Sequence, residues 1–116
     1  MKDNDLLDRT FNFGVRCLKH LRTLPNSSEY SIIKYQLGKS STSVGANYEE
    51  AQAGSSKADF KNKVRISLKE ARESNYWLRV LNALDESPNE EIDYLIKESN
   101  ELKNILASII KKLNQW

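Results

Sequence analysis

Apolar residues recur along the chain at intervals of three and four, the spacing that places side chains on one face of an α-helix. The clearest run lies near the carboxyl end and consists of Ile92, Leu95, Ser99, Leu102, Leu106, Ile109 and Leu113. Before it, Ser87-Pro88-Asn89-Glu90 offers an N-cap serine, a proline at the first helical position and a glutamate at the third. The pattern predicts a helix over about residues 88–114.

Three further helices are predicted upstream, over about 3–23, 28–53 and 57–85. The first has a stripe of Leu7, Phe11, Gly14, Leu18 and Leu21, with Leu6, Phe13 and Cys17 beside it. The second, capped by Ser27 or Ser28, carries Ile33, Leu37, Ser40, Val44, Asn47 and Ala51. The third, capped by Ser56, carries Phe60, Val64, Leu68, Ala71, Leu78, Leu81 and Leu84.

The connections between these helices are only a few residues long, which makes consecutive helices antiparallel neighbours. The expected architecture is therefore an all-α, antiparallel, up-down-up-down four-helix bundle, with residues 1–116 as a single domain. The weakest helical sequence is Gly38-Lys39-Ser40-Ser41-Thr42-Ser43-Val44-Gly45, which is poor in helix formers. We expect tertiary packing to hold this segment helical.

The composition narrows the environment in which the protein works. A single cysteine, Cys17, excludes an intramolecular disulfide, and the acidic, polar start of the chain does not match a signal peptide. Apolar runs are much shorter than the roughly 20 residues that cross a bilayer. We therefore expect a cytoplasmic protein with no membrane association.

Two polar stripes interrupt the apolar faces. Ser43, Asn47 and Glu50 share one face of the second helix, and Glu70, Glu73 and Trp77 share one face of the third. The carboxylates admit a metal or acid–base role, but di-iron bundles need Glu-x-x-His motifs, and the one histidine, His20, is in none. The favoured interpretation is structural, with carboxylates paired to Asn, Ser, Tyr or Arg donors that fix helix register. We predict no catalytic residue, no metal and no cofactor.

The charge of the chain is uneven. Between Gly54 and Leu84 seven cations face three anions, a net charge of +4, although the whole chain carries only +2. Lys57, Lys61 and Arg65 are spaced by four and can form a basic stripe, which Lys69 and Arg72 extend. Such a stripe suits salt-dependent, sequence-independent contacts with phosphates, and a solvated helix face is the alternative.

Two motifs, in this order and spacing, resemble a known family. Ser43-Val44-Gly45-Ala46-Asn47-Tyr48-Glu49-Glu50-Ala51 is followed by Asp59-Phe60 and by Leu68-Lys69-Glu70-Ala71-Arg72-Glu73-Ser74-Asn75-Tyr76-Trp77-Leu78. They resemble the bacterial four-helix bundle family linked to 23S ribosomal RNA intervening sequences (S23 ribosomal protein-like). The positions that match its pattern are Ser43, Asn47, Glu50, Glu70, Glu73 and Tyr76, whereas Ala51 stands where glycine is usual.

The resemblance, which covers about residues 11–113, implies small cytoplasmic bundles without an established enzymatic activity that assemble as homopentamers. The family is also similar to the accessory protein of diversity-generating retroelements, a basic pentameric barrel that works with a reverse transcriptase and nucleic acid. Our leading hypothesis is a non-enzymatic, oligomeric bundle that binds RNA or a nucleoprotein partner through its basic third helix. The rival is a structural or protein-interaction scaffold, which exposed Tyr76, Trp77 or Trp116 at a subunit seam would favour. An enzyme ranks last.

Overall fold

A computed structural model describes residues 3–115 and shows four α-helices. They are α1 (Asp3–Leu21), α2 (Ser28–Gln52), α3 (Lys57–Leu84) and α4 (Glu90–Leu113). The caps follow from local chemistry: the Ser27 hydroxyl accepts a hydrogen bond from the Tyr30 amide, and the Ser56 hydroxyl accepts one from the Asp59 amide. The predicted all-α architecture is confirmed.

The helices form an elongated antiparallel bundle measuring 47 × 21 × 20 Å. Consecutive helices are neighbours, and α4 returns beside α1, so that α1 and α3 lie diagonally opposite each other. Side-chain contacts fix the register: Ser67 of α3 donates to the Val44 carbonyl of α2, and Arg9 of α1 reaches Glu98 of α4. This arrangement leaves the outer sides of α1 and α3 facing solvent on opposite sides of the bundle.

The core is built largely from the predicted seams. On α4, the side chains of Ile92, Leu95, Ser99, Leu102 and Leu106 are all buried. On α2, Ile33, Leu37, Ser40, Val44 and Ala51 are buried, whereas Asn47 is half-buried. On α3 the buried apolar residues are Val64, Ala71, Leu78 and Leu81, while Leu84 is exposed.

The predicted apolar stripe of α1 is partly wrong: Gly14 and Leu21 are buried and Leu7 packs against the core, but two of its residues lie on the surface. Phe11 is 67% exposed and Leu18 is 44% exposed, whereas the residues expected beside the stripe, including Phe13 and Cys17, are buried. The reason is that α1 has two apolar faces, and the one that turns inward places Phe13 and Cys17 in the core and lets Arg9 and Arg16 pair with glutamates of α4. The second apolar face of α1 is left on the surface.

The predicted capping box at Ser87 is also wrong. The N-cap of α4 is Asn89, whose side-chain oxygen accepts a hydrogen bond from the Ile92 amide, so α4 begins two residues later than expected. Asn caps a helix as well as Ser does, and this choice places Glu90, Glu91 and Asp93 in the first turn, at the positive end of the helix dipole. The helix α1 ends at Leu21, two residues earlier than expected.

The segment 38–45 of α2 is helical despite its composition. Its hydroxyl groups bond to carbonyls of their own helix, as Thr42 does to Gly38 at 2.8 Å and Ser43 to Lys39 at 2.7 Å. Small residues also let the backbones of α1 and α2 approach closely. A Cβ atom added to Gly45 would lie 3.0 Å from the Thr10 carbonyl oxygen, and one added to Gly14 would lie 3.2 Å from that of Ser41.

Candidate nucleic-acid interface

The five predicted basic residues of α3 share its outward side. At 3.6 residues per turn they fall within about a third of the helix circumference, away from the buried residues. Four of them are exposed and one, Lys61, is half-buried; the full set is Lys57, Lys61, Arg65, Lys69 and Arg72. We name this surface the basic face of α3.

Most cations of the basic face lack a neutralising partner. Within residues 3–115, no carboxylate lies within 4 Å of the charged group of Lys61, Arg65, Lys69 or Arg72. Lys63 of α3, which lies outside the basic face, forms an ion pair at 3.4 Å with Glu50 on the α2 side of the helix. Lys61, Arg65, Lys69 and Arg72 therefore form a row of neighbouring cations, none of which is held in an ion pair among the described residues.

An exposed aromatic side chain, Tyr76, lies one turn beyond Arg72 at the carboxyl end of the basic face. Tyr76 is 50% exposed, and its ring meets that of Trp77 edge-to-face at 5.1 Å and 82°. The guanidinium carbon of Arg79 lies 5.8 Å from the centroid of the Tyr76 ring. Sequence reasoning counted Arg79 only as part of the net charge, although its spacing of three from Tyr76 already placed the two on one side.

The polar motif residues of α2 are mostly satisfied by their own helix. Asn47 donates from Nδ2 to the Ser43 carbonyl at 2.9 Å, and the Ser43 hydroxyl bonds to Lys39. Glu50 is exposed, and the partner of its carboxylate is Lys63 rather than an Asn, Ser, Tyr or Arg donor. These three residues thus stabilise α2 and its contact with α3.

The carboxylates of Glu70 and Glu73 are half-buried next to each other on α3. No described side chain or backbone amide forms a hydrogen bond or ion pair with either carboxylate, so the donors expected for them are not found. Burial and, after it, repulsion from Glu73 raise the pKa of Glu70, while Lys69 and Lys39 oppose the rise. The buried carboxylate that does have a fixed partner is Glu98, which sequence reasoning missed.

Glu98 and Glu91 join α4 to α1 through arginines. Arg9 donates from Nε and Nη2 to Glu98 at 3.0 and 2.6 Å, and Arg16 donates to both oxygens of Glu91 at 2.8 Å. Hydrogen bonding to Arg16 lowers the pKa of Glu91. These pairs depend on the register between the first and last helices, which no local sequence pattern reveals.

The two residues with reactive or ligating side chains offer no site. Cys17 is buried, and burial raises the pKa of its thiol to about 12, so the nucleophilic thiolate is scarce. His20 lies in the last turn of α1, where a cation complements the dipole, and its Nε2 atom is buried without a hydrogen-bond partner. Residues 3–115 contain no group of three or more His, Cys, Asp or Glu side chains placed to hold a metal ion.

The exposed face of α1 forms an apolar groove with α2. It is lined by Leu7, Phe11, Gly14, Val15 and Leu18 of α1 and by Thr42, Gly45 and Ala46 of α2, and has a volume of about 390 Å³. Glu49 lies at one end, and the cations Lys19, Arg22 and Lys34 flank the other. Exposed apolar surface of this kind is typical of contact regions between proteins. Trp116, named above as a candidate seam residue, lies outside the described residues.

Fold and site together define a small helical bundle with a basic face on α3 and an apolar groove on the α1–α2 side. No helix among the described residues is long and apolar enough to span a membrane. The family model for the 23S rRNA-intervening sequence protein matches residues 2–108, and the chain belongs to this family.

A solved structure supports the assignment. The chain is similar to a crystal structure of a protein of unknown function from the S23 ribosomal protein family of Bacteroides thetaiotaomicron, with 39% identity and a TM-score of 0.85. The similarity covers 96% of this chain and 99% of that one. No curated protein matches this chain.

Proposed function

We propose that the protein is a non-enzymatic, self-associating four-helix bundle of the cytoplasm that binds RNA through the basic face of α3. The observation that carries the proposal is the row formed by Lys61, Arg65, Lys69 and Arg72, which share one outward face without an ion pair among the described residues. Clustered, unpaired cations repel one another, and a polyanion with evenly spaced phosphates relieves that repulsion. The family name, which refers to 23S rRNA, makes RNA the polyanion of choice.

Self-association is the second part of the proposal. Phe11 and Leu18 are exposed together on α1 beside the apolar groove, on the opposite side of the bundle from the basic face. Contact between copies through this groove would remove apolar surface from water and leave the basic face free. The pentamer that the resemblance implies has a mass of about five times the 13.4 kDa of one chain.

A salt titration tests RNA binding. Binding of a labelled RNA is measured by fluorescence anisotropy at 50 and 200 mM salt, with the wild type and a variant in which Lys61, Arg65, Lys69 and Arg72 are changed to Gln. Four lost phosphate contacts reduce the slope of log affinity against log salt by about 3 for a single strand.

The matched control changes four lysines of α4, Lys97, Lys103, Lys111 and Lys112, to Gln, so that both variants have the same net charge. We expect this variant to keep most of the wild-type slope. An equal loss of RNA affinity in both variants would show that only net charge matters. Full retention of RNA affinity by the α3 variant would contradict the proposed interface.

A protein-interaction scaffold is the second candidate function, and the exposed apolar groove favours it. Light scattering of the wild type and of Phe11→Lys separates the two candidates. If the wild type is a folded oligomer that binds no RNA at low salt, and Phe11→Lys dissociates this oligomer, the result supports the scaffold alone. An oligomer that binds RNA in a salt-dependent way supports the full proposal.

A further inference from the structure

An exposed aromatic ring of α3, that of Tyr76, lies at the carboxyl end of its basic face. Tyr76 follows Arg72 by four residues and precedes Arg79 by three, so the three side chains are neighbours on the outside of the helix. We propose that Tyr76 is a stacking platform for an unpaired base, which makes single-stranded RNA the ligand of the basic face. This inference rests on the RNA-binding function proposed above and narrows it to one class of ligand.

The ring of Tyr76 is held in place before any ligand arrives. Trp77 supports it edge-to-face at 5.1 Å, and Arg79 lies 5.8 Å from its centroid. Arg79 is in turn fixed by a 2.9 Å hydrogen bond from its Nε to the Asn75 Oδ1 atom, which leaves its terminal nitrogens without a hydrogen-bond partner among the described residues. A preorganised ring with a cation beside it loses little entropy when it binds a nucleotide.

The surroundings of Tyr76 fit a nucleotide better than a protein partner. The centre of a protein–protein interface is depleted of charged residues, but Tyr76 lies next to Arg72 and Arg79, with Lys69 two turns away. The neighbouring carboxylate, Glu73, is half-buried. Single-stranded nucleic acid needs this combination, because its phosphates pair with cations and its bases stack on aromatic rings. The larger apolar surface, which suits a protein contact, is on α1.

The preference for single-stranded over duplex RNA follows from access to the faces of the bases. In a duplex each base face is covered by its neighbours, and an A-form helix shows proteins mainly phosphates, 2′-hydroxyls and shallow-groove edges. A protruding tyrosine finds no exposed base face on such a surface, so it gains no stacking energy there. From Lys61 of the basic face to Arg79 beyond it, the row of cations extends about 27 Å along the helix axis, long enough for a strand of several nucleotides.

The test compares a single-stranded RNA of about 12 nucleotides with its perfect duplex at equal salt, using the full chain. We expect the wild type to bind the single strand more tightly than the duplex. Tyr76→Ala should weaken single-strand binding about 5- to 100-fold, the effect of losing one stacked base, and Tyr76→Phe should retain it. Affinity for the duplex should not change with Tyr76→Ala.

Tyr35→Ala is the matched control. Tyr35 is 66% exposed on α2 and also has a cation near its ring, Lys39 at 5.9 Å, but it lies outside the basic face. Its removal should leave RNA binding unchanged. Circular dichroism tests whether all variants are folded. We expect that they are, because both tyrosines are exposed.

Salt dependence separates stacking from charge. Arg72→Gln should reduce the slope of log affinity against log salt by about 0.7, the value for one phosphate contact on a single strand. Tyr76→Ala should lower affinity at every salt concentration and keep the slope, because stacking releases no counterions. A change of slope with Tyr76→Ala would overturn the stacking role.

Failure of this inference is distinguishable from failure of the proposed function. If single strand and duplex bind equally and Tyr76→Ala has no effect, while the four-cation variant loses binding, the basic face binds RNA and Tyr76 is not its platform. If the wild type binds neither RNA, both proposals fail. If Tyr76→Ala changes the mass by light scattering and not the affinity for RNA, Tyr76 belongs to a protein contact, which also overturns the inference.

Discussion

Asn75 of α3 donates a 2.9 Å hydrogen bond from Nδ2 to the hydroxyl of Ser99 on α4, within the core. The Ser99 hydroxyl in turn donates a 2.8 Å hydrogen bond to the Ile96 carbonyl, and Asn75 Oδ1 accepts one from Arg79 Nε. The bond therefore links the register of two helices to the position of a surface arginine. It connects the packing of the bundle to the geometry of its basic face.

Replacement of Asn75 by Ala should destabilise the bundle by about 1–3 kcal/mol, because Ser99 loses its donor in a buried position and Arg79 loses its acceptor. Urea denaturation followed by circular dichroism measures the effect. A double-mutant cycle with Ser99→Ala gives the energy of the pair, and additive single effects would show that the hydrogen bond contributes nothing.

Gly45→Ala and Gly38→Ala should have opposite effects. At Gly45 the new Cβ would meet backbone atoms of Thr10 and Phe11 at 3.0 to 3.2 Å, so α1 must move away from α2 at a cost of about 1–3 kcal/mol. At Gly38 the nearest atoms are flexible leucine methyls at 3.6 and 3.7 Å.

The Gly38 substitution should therefore stabilise the protein by up to about 1 kcal/mol, the difference in helix propensity between Ala and Gly. The two thermal melts form a matched pair. Equal shifts in Tm would mean that the close approach of α1 and α2 is not a constraint.

The thiol of Cys17 should be inert in the folded protein. With a pKa of about 12, only about one thiol in ten thousand is ionised at pH 8, and the side chain is fully buried. Ellman's reagent should react with one thiol per chain in guanidinium chloride and with almost none in buffer. Rapid reaction in buffer would reveal that the core opens at α1.

Glu70→Gln should stabilise the protein at neutral pH. The folded state raises the pKa of Glu70 above its ordinary value near 4.5, so ionisation of this group disfavours folding above that range. The gain in Tm for the variant should shrink as the pH falls toward 4.5 and vanish below it, where both states carry the protonated acid.

Helix content and the α4 seam were readable from sequence because only one face of α4 is apolar, and any helix of that kind must bury it. The same logic failed on α1, where Phe11 and Phe13 lie on different sides and the sequence offers two apolar faces. The buried face is the one that lets Arg9 and Arg16 reach α4, through contacts between distant positions that are 89 residues apart for the Arg9–Glu98 pair.

The basic face followed from helical periodicity alone, since Lys61, Arg65 and Lys69 recur every four residues. Which of these cations forms an ion pair was not predictable, because Lys63 differs from its neighbours only in pointing toward Glu50 of α2. The partners of buried polar groups such as Asn75 likewise depend on the register between helices. Periodicity determines which residues share a face, and the packing of helices determines which of them remain unpaired.

The α2–α3 seam buries hydroxyl groups where most bundles bury leucine. Ser74 donates to Ser40 at 3.0 Å, Ser67 donates to the Val44 carbonyl at 2.7 Å, and all three serines are fully buried. Unfolding such a seam hydrates polar as well as apolar groups, and the two make contributions of opposite sign to the heat capacity. The heat-capacity change of unfolding per residue should therefore lie below the usual value of about 12–15 cal/mol/K. A smaller change gives a flatter curve of stability against temperature.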